Sequence, residues 1–403
     1  MTYAQTLDWM FAQLPMYQQK GKTAFNGKLN GIKGLTQHLG NPHKNFKSIH
    51  VAGTNGKGSS SHMLASILQE AGYCVGLYTS PHLKDFRERI RLNGKPVSKK
   101  FVIDFIADNK LFFEQNKLSF FEMTVGMAFS FFEEKKVDIA VIEVGLGGRL
   151  DSTNIIVPEV SLITNIGMDH MDMLGDTLEK IAFEKAGIIK ENTPVVVSEF
   201  QSEIASVFKE VSDAKNAKLI FADKKEHPQY ETSLLGNYQQ KNIRGVIETL
   251  KLLKRFQINK DHITNGLQKV QENTGILGRW QILGHDPKII CDTAHNKEGL
   301  SLVLDQLDTE IFEVLHLVLG FVKDKDLSNI LPLLPKKAEY YFCKPSIPRG
   351  LDANLLAQQA ENHTLKSSIY DSVKAALAAA KEKAHKDDLI FVGGSNFTVA
   401  EVL

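Results

Sequence analysis

The stretch Val51-Ala-Gly-Thr-Asn-Gly-Lys-Gly-Ser59 constrains this chain more than any other. An apolar β-type run, Ser48 to Ala52, leads into a loop with glycines at 53, 56 and 58. A helical pattern follows at once. Met63, Leu64, Ile67, Leu68 and Ala71 share one face, and Gly72 sits where a C-cap belongs. Strand, glycine-rich loop and helix in succession make a phosphate cradle. The glycines let backbone N–H groups approach an anion, and the helix N-terminus adds a positive dipole end. Lys57 adds a point charge, and the Ser59 hydroxyl can reach a magnesium ion. The spacing departs from G-x-x-x-x-G-K-[ST]: Thr54 and Asn55 alone separate the first two glycines, and Gly58 intervenes before Ser59. An ordinary β–α turn is the plainer alternative.

A cradle of this kind needs a sheet around it, and the composition allows one. The chain has 403 residues, 43% hydrophobic and 24% charged, which suits two globular domains with a real core. A formal net charge of +1 exerts no global pull toward nucleic acid or an anionic membrane. Cys74, Cys291 and Cys343 lie far apart, which argues against a disulfide framework and a zinc site and fits a reducing compartment. No apolar run reaches the roughly 18 residues of a membrane span, and Met1 to Lys20 shows no signal-peptide core. A cytoplasmic location is expected.

Residues 4–16 have a helical rhythm stopped by Pro15. Gln18 to Lys47, rich in Lys, Gly and Asn, reads as a substrate-covering segment or a solvated connector, with one short helical pattern around Ile32, Leu35 and Leu39. After the first helix come a short strand, Val75 to Tyr78, and the turn Thr79-Ser-Pro-His-Leu83, which could present Ser80 to the same metal. Arg87-Glu-Arg-Ile-Arg-Leu-Asn-Gly94 reads as a strand ending in an Asn-Gly hairpin, with Arg87, Arg89 and Arg91 on one face. Such a row suits a polycarboxylate or phosphate; a solvated strand face is the preferred reading. Phe101 to Asn116 reads as an amphipathic helix. Ser119-Phe-Phe-Glu-Met-Thr124 opens an apolar one, in which Glu122 either caps the first turn or faces a ligand.

Val137 to Val144 is the best buried-strand candidate. Glu143 at its end sits where an acid holds magnesium, and its burial calls for a cation. A strand from Glu159 to Ile166 leads to His170, a candidate ligand or catalytic group. A helix is expected over Gly175 to Lys190 with Lys185 partly buried, a costly position unless the amine is paired or modified. Strand Val195 to Ser198 and a helix follow, then loop and edge strand over 223–236, a helix from Gly236 to Leu253 and another over Lys260 to Val270. From Lys288 the α/β alternation restarts. Strands Ile289–Asp292, Val314–Leu319, Tyr340–Phe342 and Leu389–Val392 are separated by helices Glu298–Asp308, Leu327–Leu334, Asn354–Asn362 and Ser372–His385. Asp292-Thr-Ala-His-Asn296, Gly320 and Gly393-Gly394-Ser395 mark strand ends on the ligand-binding edge of this second sheet. The residues by themselves indicate a magnesium-dependent ATP enzyme with its site in an interdomain cleft. Kinase, ligase and hydrolase stay open.

Taken together, Gly53-Thr-Asn-Gly-Lys-Gly-Ser59, Tyr78-Thr-Ser-Pro-His-Leu83, Glu143-Val-Gly-Leu-Gly-Gly148, Asp151-Ser-Thr-Asn154, Glu184-Lys-Ala-Gly-Ile-Ile-Lys190 and Asp292-Thr-Ala-His-Asn296 resemble the folylpolyglutamate synthase/dihydrofolate synthase family of the Mur-ligase superfamily. The resemblance runs in order from Pro15 onward and implies an α/β fold. A P-loop-type, parallel-sheet ATP- and folate-binding domain would span 1–277, and a smaller Rossmann-like glutamate-ligase domain 278–403. It implies that Thr54, Asn55, Gly56, Lys57, Gly58 and Ser59 hold the ATP phosphates, with Asn242, Arg279, Asp292 and His295 as further ATP contacts. Ser59, Ser80, Glu143, His170 and Lys185, the last as a carbamate, would hold magnesium at two sites, with room for a monovalent cation. Lys57, Glu143, His170 and Lys185 would carry the catalysis. Ser119, Phe120, Phe121, Glu122, Leu150, Asp151 and Ser152 would line the pterin side, with Arg89 as a further substrate residue. Two stretches depart from the family pattern: Tyr238-Gln239 stands where it usually has His-Gln, and Thr293 stands where it often has Gly.

The implied reaction is ATP-dependent addition of L-glutamate to a pterin or folate carboxylate through an acyl phosphate, on dihydropteroate, tetrahydrofolate or both. Closure of the domains would protect that intermediate from water. A monomer with small-molecule substrates and no nucleic acid or membrane partner is expected. A Mur-type cell-wall ligase would need an additional N-terminal domain, for which the roughly 50 residues before the loop are expected to leave no room. A silent ATP-binding module would lack Lys57, Glu143 or His170.

Overall fold

The computed structural model describes residues 1–12 and 29–403. The expected stop at Pro15 and the Gln18–Lys28 part of the covering segment lie outside those residues. The chain forms two compact units. The first comprises Met1–Ser233 and Gln239–Gly275, the second Leu234–Tyr238 and Ile276–Leu403.

The first unit is built on eight strands: β1 (Lys47–Ala52), β2 (Val75–Tyr78), β3 (Ile90–Leu92), β4 (Lys95–Pro96), β5 (Ile139–Glu143), β6 (Val160–Ile163), β7 (Val195–Val197) and β8 (Leu219–Phe221). Their order is β4-β3-β2-β5-β1-β6-β7-β8. The pairs from β2 through β8 are parallel, and β3 and β4 add an antiparallel corner. The chain leaves β1 toward β2 on one side and crosses from β5 to β6 on the other. That reversal brackets β1 and opens a crevice at the carboxyl ends of the strands. Helices cover both faces, so β5, with Ile, Ala, Val and Ile before its acid, is buried throughout. On one face, the Lys99–Asn116 and Phe120–Glu134 helices bring Phe105, Phe113, Phe129 and Phe132 into a core with Ile142. Fully burying such a side chain is worth about 1.5–3 kcal/mol. On the other face Ile181, Ile188, Ile189 and Phe208 pack against Ile163 and Val195.

The second unit holds β9 (Gln281–His285), β10 (Lys288–Cys291), β11 (Leu315–Leu319), β12 (Glu339–Cys343), β13 (Ser367–Tyr370) and β14 (Leu389–Gly393) in the order β13-β12-β11-β14-β10-β9, parallel except for β9.

Several expectations need correction. Asp85-Phe-Arg-Glu88 is a capping box, so Phe86–Arg89 is a 3₁₀ turn and the strand begins only at Ile90. The three arginines therefore share no strand face, and Arg89 and Arg91 are buried rather than solvated. The helix expected over Gly175–Lys190 starts at Leu178, behind the N-cap Thr177, and ends at Ala186. Leu327–Leu334 is not a helix but two 3₁₀ turns around Pro332. The edge strand of the first sheet is β8, ahead of 223–236, and β9 and β13 are additional strands.

Candidate functional site

The loop after β1 is fixed from the β6 side. Thr54 N donates to the Asn165 carbonyl at 2.8 Å, Asn55 N to Asn165 Oδ1 at 2.9 Å, and Gly167 N to Thr54 Oγ1 at 3.0 Å. Gly53 and Gly56 have φ of +147° and +83°. A Cβ on either would run into Thr164 or Asn242 respectively, so only glycine lets the loop close this tightly. The Lys57–Glu70 helix starts directly behind it and aims its N-terminus at the crevice. Its Ser59 is buried and accepts from Gln239 Nε2 at 3.1 Å. Gln239 Oε1 in turn accepts from Asn242 Nδ2 at 2.8 Å. Gln239 is the residue that sequence reasoning missed as an organiser of the loop. Its place one turn before Asn242 on a helix was the available signal.

Two lysines converge on one carbonyl. Lys57 Nζ donates to the Gly53 and Thr54 carbonyls at 2.9 and 3.0 Å, and Lys185 Nζ to Gly53 at 2.9 Å. Lys185 is 4% exposed. Burial, then the charge of Lys57, lower its pKa to about 7.

Ser80 and Glu143 meet at the ends of β2 and β5, where Ser80 N donates to Glu143 Oε2 at 3.0 Å. Glu143 is 3% exposed. His170, beyond β6, holds a left-handed φ of 52° with its N–H on Asp169 Oδ1 at 2.9 Å. A residue other than glycine in this region carries roughly 1–3 kcal/mol of strain, a feature common at functional sites. Among the described residues no three of His, Cys, Asp and Glu cluster as a closed metal cage. Magnesium does not require one, since it favours hard oxygen ligands, one or two carboxylates and substrate phosphates. The buried Glu143 carboxylate and the loop-helix hydroxyl of Ser59 supply that donor chemistry.

The turn behind Glu143 is tied by Asp151. Its Oδ2 accepts from Gly145 N at 3.0 Å and Leu146 N at 2.9 Å, while its Oδ1 accepts from Thr153 N at 2.9 Å and from the Thr153 hydroxyl. Burial nonetheless raises its pKa. Because the Thr153 proton goes to Asp151, His50 Nε2, 2.9 Å from the Thr153 oxygen, is the donor to it. Leu150 is half-buried beside the knot, and Ser152 opens the short turn that Asp151 caps. Glu122 resolves as a cap: Ser119 N donates to it at 2.8 Å, and Glu122 N donates to Ser119 Oγ at 3.2 Å. Phe120 follows that cap with the Arg89 guanidinium 5.1 Å from its ring, and Phe121 lies 6.2 Å from the Tyr78 ring.

In the second unit the end of β10 carries Asp292, 2% exposed. Its Oδ2 accepts from the Tyr238 hydroxyl at 2.5 Å and Trp280 N at 2.7 Å, and its Oδ1 from Ala294 N at 2.8 Å. Arg279 donates to the Thr293 hydroxyl, and His295 Nδ1 lies 3.0 Å from the Thr293 carbonyl. Asn296 caps the Lys297–Leu307 helix. The loop and metal-side candidates thus lie together in the first unit, and Arg279, Asp292 and His295 lie together in the second.

Residues 51–260 match the Mur ligase middle domain family, and residues 278–396 the Mur ligase glutamate ligase domain family. The chain is 31% identical over 438 residues to the dihydrofolate synthase/folylpolyglutamate synthase of Bacillus subtilis, covering 99% of this chain and 98% of the relative. It is 33% identical over 433 residues to a probable bifunctional folylpolyglutamate synthase/dihydropteroate synthase of Haloferax volcanii, covering 100% of this chain but 50% of that longer relative. A solved bifunctional folylpolyglutamate synthase/dihydrofolate synthase with Mn, AMPPNP and L-glutamate bound superposes with a TM-score of 0.86 at 28% identity, covering 100% of this chain and 97% of that one.

Proposed function

The chain belongs to the dihydrofolate synthase/folylpolyglutamate synthase family of Mur ligases, and from that premise we propose that it joins L-glutamate to a pterin or folate carboxylate at the expense of ATP, acting on both dihydropteroate and tetrahydrofolate. The observation that carries the reading is the meeting of Lys57 and Lys185 on the Gly53 carbonyl of the phosphate loop. That arrangement sets a fixed cation and a titratable amine where phosphate is transferred.

Thr54 to Ser59 bind the nucleotide phosphates through loop N–H groups and the helix N-terminus. Arg279, Asp292 and His295, with Asn242, complete the nucleotide contacts. Ser59, Ser80, Glu143 and His170 would hold magnesium, which would supply neutralisation of the phosphate charge. Lys185, with a pKa of about 7, is substantially neutral at cytoplasmic pH. Its free amine adds to carbon dioxide, forming an N–C bond and releasing a proton, and the carbamate so formed supplies an anionic oxygen ligand in place of a buried cation. The acceptor carboxylate takes the terminal phosphoryl group of ATP. The glutamate amine then attacks the acyl carbon, and phosphate leaves. Phe120, Phe121, Leu150 and Ser152 flank the pterin.

The test is magnesium-dependent phosphate release from ATP with glutamate present, offering dihydropteroate and tetrahydrofolate separately. Release with both is expected. Release with one alone would make the enzyme monofunctional for that acceptor, and silence with both from folded, ATP-binding protein would overturn the proposal.

A further inference from the structure

Asn165, two residues beyond β6, takes the first two N–H groups after Gly53. Its carbonyl accepts from Thr54 N at 2.8 Å, and its side-chain Oδ1 accepts from Asn55 N at 2.9 Å. The Thr164 hydroxyl donates to the Asn55 carbonyl at 2.5 Å, so the opening turn of the glycine-rich loop leans on 164–165 through both its donors and an acceptor. A side-chain amide has an accepting edge and a donating edge. Rotated by half a turn, Asn165 would set its NH2 group against the N–H of Asn55, donor against donor. The loop therefore depends on which way one amide points.

That direction is set from the opposite side, by the segment beyond β7. Glu199 Oε1 accepts from Asn165 Nδ2 at 3.2 Å, and Glu199 Oε2 accepts from Lys241 Nζ at 2.9 Å. A carboxylate only accepts, so it admits Asn165 in one orientation. Two residues on, Gln201 does the same for the backbone. Its Nε2 donates to the Ile166 carbonyl at 2.9 Å, and its Oε1 accepts from Ile166 N at 3.0 Å. Lys241 and Glu199 are both partly exposed, so solvent screens their attraction. What the carboxylate contributes is direction. Lys241 lies between Gln239 and Asn242 in the Gln239–Lys251 helix. That helix thus reaches the loop by two routes, directly through Gln239 on Ser59 and in relay through Lys241, Glu199 and Asn165 on Asn55.

We propose that Glu199 is a positioning residue for nucleotide binding, acting through the Asn165 amide to set the opening turn of the loop before the phosphates arrive. This rests on the reading of Thr54 to Ser59 as the seat of the ATP phosphates. Holding the loop in its bound shape beforehand removes an ordering cost from binding.

The test makes Asn165→Asp and Glu199→Gln in the full chain, singly and together, and measures magnesium-ADP affinity by calorimetry. Asn165→Asp sets carboxylate against carboxylate and should weaken ADP about 30-fold. Glu199→Gln leaves one side-chain oxygen for two donors, Asn165 and Lys241, and should weaken it about threefold. Together they restore both pairings in the reverse sense. The new amide donates to the new carboxylate and accepts from Lys241, and affinity should return to within about fivefold of wild type. Glu199→Gln, harmful alone, is then helpful beside Asn165→Asp, a reversal that a merely structural role does not produce. The KM for ATP should follow the same pattern while the KM for glutamate holds within about twofold. Lys241→Met, which loses only the screened ion pair, should cost less than about threefold. If Asn165→Asp does not fold, Glu199→Ala carries the test with an expected loss of about fivefold. Additive losses in the double variant, an unchanged affinity in Glu199→Ala, or a loss in Lys241→Met as large as in Asn165→Asp would overturn the assignment. A wild-type chain that binds no magnesium-ADP would instead overturn the nucleotide reading beneath it.

Discussion

The carboxyl edges of the two sheets solve different problems. At the first, the candidate chemistry is spread over four strand ends: Ser80 after β2, Glu143 at the end of β5, the glycine-rich loop after β1 and His170 beyond β6. At the second it is gathered into the single turn after β10, where Asp292 is held by three donors of its own unit. Of the neighbouring strand ends, Gly394 is crowded by the Gly320 carbonyl, and Gly320 by the Thr398 hydroxyl and the Cys343 carbonyl. A distributed edge holds groups that must act on one another, and a gathered edge holds one group in one orientation. The first is the expected seat of reaction, the second of recognition.

That contrast breaks most sharply at Lys185. Lys185→Ala should cut glutamate-dependent ADP formation by at least about 100-fold, the scale of losing one electrostatic stabiliser, with ADP affinity by calorimetry little changed. A loss of nucleotide binding equal to the loss of rate would erase the distinction. Asp292→Asn should act the other way, raising the KM for ATP by about tenfold while kcat holds within about threefold. A collapse of kcat would give the second edge a part in the reaction.

Stability sharpens the picture at smaller scale. Thr153→Val removes the hydroxyl between Asp151 and His50 and should cost about 1–3 kcal/mol in denaturant melts, whereas Thr153→Ser should stay near wild type. An unaffected valine variant would show the knot to be dispensable. In acid, His50 and His82 are held at about 3, by burial with Lys190 and by burial with Arg89 respectively, against 6.5 when free. Between those values the unfolded chain binds more protons, so the melting temperature should fall as pH drops from 6.5 toward 3. Lys185 carries the same sign in a higher window. Folded at about 7 and free at 10.5, it makes stability rise with pH between those values, an effect that Lys185→Met should flatten.

Much of this was legible from composition of short stretches. The β-branched run of β5 with one terminal acid announced Glu143, and glycine spacing announced the loop. The helical register of 178–186 put Lys185 on a buried side. Arg89 was harder to place. An alternating R-x-R-x-R pattern mimics a strand, and only the Asp85/Glu88 capping box, a signal of three-residue reach, outweighs it. The Thr153–His50 link joins residues 103 apart in sequence, and no local pattern encodes it. β9 and β13 escaped because they are short, half-exposed edge strands without a strong apolar period.

Leu234–Tyr238 is counted with the second unit although sequence of the first flanks it on both sides. Asn237 N donates to Gln306 Oε1 at 2.6 Å, Gln306 Nε2 to the Leu235 carbonyl at 3.1 Å, and Tyr238 reaches Asp292. The C-terminal portion is therefore not a cassette that one genetic breakpoint can move. A recombination event near residue 275 would hand a descendant the receiving groups Gln306 and Asp292 from one parent and the strap that fills them from another. Inheritance should bind the two stretches together, so that changes at Tyr238 are tolerated only alongside changes around Asp292.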